Sequence, residues 1–140
     1  MWKESRAPTS SLVKPPRAHL IVEGDEVYSE LSSEDGMDKL IHGLVALAVR
    51  ADAEVTMVFD GQQGRPEPMT VPRGVRVLYS APDQRVDELM MTLVRTEHSN
   101  RPVVVVTANA RMIDINDRPR ASYVLPSALA TWLERYRRDH

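Results

Sequence analysis

Acidic side chains stand at the ends of the apolar runs in this sequence. Glu23, Asp25 and Glu26 follow Leu20-Ile21-Val22, and Asp60 follows Val55-Thr56-Met57-Val58-Phe59. Thr107-Ala108-Asn109 follows Val103-Val104-Val105-Val106, and Asp87-Glu88 opens another patterned stretch. Carboxylates drawn into one crevice repel each other unless a cation sits among them, and oxygen ligands of this kind suit Mg²⁺ or Mn²⁺. For any one of these acids helix capping is the simpler account, because the helix dipole favours carboxylates at its start. Their convergence is what points to metal chemistry. The absence of cysteine excludes thiolate ligands, thiolate nucleophiles and a disulfide framework.

The elements that must position these residues are legible in the hydropathy pattern. Ala18 to Val22 reads as a buried strand closed by a turn at Glu23-Gly24-Asp25-Glu26. A helix capped by Ser32 or Ser33 then carries Met37, Leu40, Ile41, Leu44, Leu47 and Ala48 at helical spacing. Val55 to Phe59 and Val75 to Tyr79 read as the second and third strands, on either side of a loop with Gly64, Pro66, Pro68 and Pro72. Val86, Leu89, Met90, Leu93 and Val94 mark a second helix, and Pro102 to Val106 a strand buried on both faces. Met112 to Asp117 suggests a short helix and Ser122 to Leu125 a fifth strand. Ser127 would cap a last helix with Leu129, Trp132, Leu133 and Tyr136. Strands alternating with helices predict an α/β fold: one doubly wound, mainly parallel sheet of four or five strands, with helices on both faces and its ligand site beyond the carboxyl ends of the strands.

With 140 residues there is room for one domain, expected over residues 17–140 behind a flexible arm of residues 1–16 that is rich in Pro, Ser and charge. No signal-peptide core or membrane-spanning run is found, so the expected location is cytoplasmic. Net charge is −2, but its distribution is uneven: ten acids face two bases between residues 20 and 60, and seven arginines face four acids after residue 100. Arg111, Arg118 and Arg120 follow the fourth strand and are candidate phosphate contacts. His19 is expected just ahead of the first strand and His42 on a polar helix face, neither in a spaced metal-binding pair. The glycines form no phosphate-cradling fingerprint, so no nucleotide cofactor is expected. A phosphoryl-receiver domain would need a lysine at a late strand end, and the lysines are Lys3, Lys14 and Lys39.

Taken in order, these motifs resemble the NYN (YacP-like) branch of the PIN-like nucleases in its actinobacterial form. Leu20 to Val27 is similar to that family's L-I-V-D-G-Y-N-V, Val58-Phe59-Asp60-Gly61 to V-F-D-G, and Gly74 to Ser80 to G-V-R-V-L-F-S. Val86-Asp87-Glu88 stands where A-D-D stands, and Val103 to Asn109 resembles V-V-V-V-S-S-D. The resemblance implies a metal-dependent endoribonuclease-like domain using Mg²⁺ or Mn²⁺, with RNA as partner and translation as one setting. Carried over by position, Glu23, Asp60, Asp87, Glu88 and Asn109 are the implied metal ligands, and Asp60, Asp87, Glu23 and Glu26 the implied catalytic group. Only Asp60 and Asp87 match the pattern unchanged. Glu23, Glu88 and Asn109 replace aspartates, while Asp25 and Glu26 replace Tyr and Asn. A shift of about one methylene matters in such sites, so weakened or lost cleavage is expected. The alternative is a catalytically inactive RNA-binding or protein-interaction module on the same fold.

Overall fold

The computed structural model describes residues 17–31, 34–61, 74–97, 100–109 and 121–139. Five strands form one sheet: β1 (His19–Glu23), β2 (Glu54–Phe59), β3 (Val75–Tyr79), β4 (Val103–Val106) and β5 (Ala121–Val124). All neighbouring strands are parallel, in the order β3-β2-β1-β4-β5. Among the described residues four helices accompany them: α1 (Gly24–Glu30), α2 (Gly36–Arg50), α3 (Val86–Thr96) and α4 (Pro126–Asp139). The expected doubly wound α/β architecture is what the chain adopts.

Two hydrophobic layers explain why the central strands are apolar at odd and even positions alike along most of their length. Leu20 and Val22 of β1, with Val55, Met57 and Phe59 of β2, pack against Val27, Leu40, Leu44, Leu129 and Leu133 from α1, α2 and α4. Ile21 and Val58, which alternate with them, pack with Val103 and Val105 against Met90 and Val94 of α3. A strand covered on both faces must be hydrophobic at odd and even positions alike. β1 and β2 meet that demand except at His19 and Thr56, buried polar residues that hydrogen-bond each other, and β1 is hydrogen-bonded on both sides.

The segment after β1 departs from expectation. Glu23-Gly24-Asp25-Glu26 was expected as a turn, yet Gly24 is the first residue of α1. Val27 and Leu31, four residues apart, are both buried and give this short helix its apolar stripe. Gly24 permits the approach, because a Cβ there would lie 2.6 Å from the Phe59 ring. His19, expected ahead of the first strand, is its first residue and is 2% exposed. α4 begins at Pro126, so Ser127 lies inside its first turn rather than capping it, consistent with the preference for proline at the first helical position. The Ser32 or Ser33 cap and the short helix expected over Met112 to Asp117 lie outside the described residues.

Candidate functional site

The strand order reverses between β1 and β4, and a crevice beyond the carboxyl ends of the strands at such a point is where this architecture binds ligands. Glu23 ends β1, Asp60 follows β2, Thr107 and Asn109 follow β4, and Asp87 lies in the first turn of α3. Glu23, Asp25, Asp60, Asp87 and Asn109 line one cavity of about 520 Å³, with Asp83, Gln84 and Arg85 on its rim.

Hydrogen bonds within the cavity fix its acids. Thr107, fully buried, donates its hydroxyl to Glu23 Oε1 at 2.8 Å and accepts the Asn109 backbone N–H at 3.0 Å. Asn109 Nδ2 donates to Asp87 Oδ2 at 3.1 Å, and the Asp60 backbone N–H donates to Asp25 Oδ2 at 2.8 Å. The turn holding Asp60 is closed by Gly61, whose N–H donates to Ser80 Oγ at 3.1 Å. A Cβ on Gly61 would sit 2.2 Å from the Ser80 carbonyl oxygen, so only glycine allows this approach.

The acids described in the cavity bear on one another electrostatically. Burial pushes the Glu23 carboxyl above its ordinary value of 4.5, the Thr107 hydrogen bond opposes this, and the charges of Glu26, Asp25 and Asp87 push it further up. Asp87 Oδ1 is buried and accepts no hydrogen bond. Arg85 Nε approaches that oxygen to 3.3 Å, an ion pair whose N–H is not aimed as a hydrogen bond, and its side chain is 63% exposed. A buried carboxylate oxygen without a donor, among other carboxylates, is the environment an oxygen-seeking divalent cation fits.

Of the residues singled out in the sequence, Glu23, Asp60, Asp87 and Asn109 come together. Glu26 is exposed on α1 and acts on Glu23 only through its charge, without lining the cavity. Glu88 also stays out of it: its Oε1 accepts the Arg85 backbone N–H at 3.1 Å and so caps α3. Arginine has no side-chain acceptor to return the bond, so only half of a capping box forms. Arg111, Arg118 and Arg120 lie outside the described residues. Asp83, Gln84 and Arg85 were not anticipated. Their sole signal was position, just ahead of Asp87 in the sequence.

A second polar cluster lies at the other end of the sheet. His19, Glu54 and Glu97 place one potential metal-ligand atom each within 4.8 Å of the others. His19 stands four positions before Glu23 along β1, about 13 Å of extended chain. His19 Nδ1 lies 2.5 Å from Glu97 Oε2 and Nε2 lies 2.7 Å from Thr56 Oγ1. Arg101 already supplies positive charge here, at 3.2 Å from Glu54 and 3.1 Å from Glu97. These contacts make it an ion-pair network tying the end of α3 to β1 and β2.

Residues 22–139 match the family model for the YacP-like NYN domain. Crystal structures of Rae1 (YacP) from Bacillus subtilis share the fold. A tryptophan-to-leucine mutant superposes with a TM-score of 0.69 at 18% identity, over 87% of this chain and 78% of that one. A second Rae1 structure gives 0.66 at 17% identity, over 86% and 75%. No curated protein sequence matches the chain. Among the described residues no helix is long and apolar enough to cross a membrane.

Proposed function

The chain belongs to the YacP-like NYN family, a family of ribonuclease type, and on that premise we propose that it is an endoribonuclease-like domain acting on RNA with Mg²⁺ or Mn²⁺. The observation that carries this reading is Asp87 Oδ1, buried without a hydrogen bond in a cavity where burial, and then the neighbouring acids, raise the pKa of Glu23. Asp60, Asp87 and Glu23 would hold the ion. When bound, the ion supplies a Lewis acid for the phosphodiester and a more acidic water.

The chain's other groups position these ligands. Asp25 pins the backbone of Asp60, Thr107 orients the Glu23 carboxylate, and the Asn109 amide holds Asp87. Binding of RNA without turnover is the second reading. It is favoured by Arg85, which already brings a positive charge to Asp87, and by the neutral Asn109 amide beside that carboxylate. Incubation of end-labelled single-stranded RNA with Mn²⁺ or with EDTA, for the parent and Asp60→Ala, separates the possibilities. Cleavage that needs Mn²⁺ and is lost in Asp60→Ala supports the nuclease. RNA that is left intact but shifted by the protein on a native gel supports the binding module, and cleavage that survives EDTA or Asp60→Ala refutes the site.

A further inference from the structure

Among the described residues that line the acidic cavity, Arg85 is the one that carries positive charge. Its Nε lies 3.3 Å from Asp87 Oδ1 and 3.5 Å from Glu88 Oε1. Neither contact immobilises it. The first lacks hydrogen-bond alignment, since Asp87 Oδ1 has no hydrogen-bond partner, and the Arg85 side chain is 63% exposed. Its backbone is fixed all the same: the Arg85 N–H is held by Glu88 and its carbonyl accepts the Leu89 N–H at 3.2 Å. A guanidinium on a fixed helix cap, with a loosely held side chain, can turn between Asp87 and the cavity mouth without disturbing the fold.

We propose that Arg85 is a phosphate-positioning residue: a counter-ion to Asp87 that a divalent cation displaces, and that then pairs with an RNA phosphate at the cavity mouth. This rests on the cation-site reading above and adds the substrate contact. Two cations cannot share Asp87 Oδ1 without mutual repulsion, so a metal ion drives the guanidinium outward. The phosphate drawn to the metal then presents the anionic oxygens that a guanidinium binds bidentately.

The test compares the parent with Arg85→Gln and Arg85→Lys in two binding measurements. One is calorimetric titration with Mn²⁺ alone; the other is fluorescence anisotropy of a short labelled oligouridine across a salt series, with and without Mn²⁺. Loss of a competing surface ion pair should tighten Mn²⁺ binding by Arg85→Gln about two- to fivefold. The same variant should bind RNA more weakly in Mn²⁺, with the slope of log affinity against log salt smaller by roughly 0.7, the share of one single-strand phosphate contact. Arg85→Lys should restore the slope, which a purely structural role for the guanidinium would not predict. Weaker Mn²⁺ binding by Arg85→Gln would overturn the displacement. Tighter Mn²⁺ binding with an unchanged salt slope would overturn the phosphate contact alone, leaving the cation site standing. If neither parent nor variant binds Mn²⁺, the cation site itself fails and the inference fails with it.

Discussion

Substituting Asn109→Asp would replace a hydrogen bond with a repulsion at close range. Asn109 Nδ2 donates to Asp87 Oδ2 at 3.1 Å, and an aspartate in the same rotamer would bring a second carboxylate oxygen to that separation. Two unit charges 3.1 Å apart repel by about 1.3 kcal/mol in water's dielectric and about 5 kcal/mol at an effective value of 20. The lost hydrogen bond adds about 1 kcal/mol. The Asp87 side chain is 21% exposed, so rotation and solvent should relax part of this. A net cost of about 2–4 kcal/mol near neutral pH follows, or about 8–16 °C in Tm at roughly 4 °C per kcal/mol for a domain of this size. A like-charged neighbour raises a carboxylate's pKa, so the penalty should be absent below the ordinary carboxylate range and grow as pH rises through the raised values. Mn²⁺ at about 100 times its Kd would return roughly 2.7 kcal/mol. Calorimetric melts with Mn²⁺ and with EDTA measure this, with Asn109→Ala as a control that loses only the hydrogen bond. If Asn109→Asp and Asn109→Ala melt alike, and Mn²⁺ rescues neither, the carboxylates do not form a shared cation site.

Three further outcomes are expected. Gly61→Ala must move the Ser80 carbonyl or the turn bearing Asp60, costing about 1–3 kcal/mol and weakening Mn²⁺ binding, as denaturant titration and calorimetry would show. Glu23→Gln should raise Tm at neutral pH: the raised folded-state pKa means the parent's stability from this group is full below 4.5 and is lost as pH rises through that pKa. The gain over the parent should therefore vanish in melts below pH 4.5. His19→Leu leaves Glu97 Oε2 without its imidazole partner and should cost about 2–4 kcal/mol in urea denaturation while leaving Mn²⁺ affinity unchanged, because the network lies at the other end of the sheet.

The strands were legible because burial on both faces demands unbroken apolar runs, and Val103 to Val106 or Val55 to Phe59 can hardly do anything else. α1 was not, because it opens with Gly24-Asp25-Glu26, the composition of a turn, and Val27, with Leu31 at its C-cap, is all the buried apolar spacing it offers. The convergence of Glu23, Asp60, Asp87 and Asn109 followed from topology alone, since strand ends and a helix start meet at the point where strand order reverses. Whether a side chain lines the cavity or caps a helix depends on rotamer and neighbour, which is why Glu88, expected among the ligands, caps α3 while the unanticipated Arg85 lines the cavity. His19 is buried through partners 37 and 78 residues away, a long-range arrangement that no local pattern announces.

In the function proposed above, the acids at the carboxyl end of the sheet, and not the histidine network at the other end, hold a divalent cation. Anomalous diffraction at the manganese edge from crystals grown with Mn²⁺ tests it most directly. A peak is expected within coordination distance of Asp60, Asp87 and Glu23. A peak at His19, Glu54 and Glu97 alone, or no peak at either cluster, would contradict it.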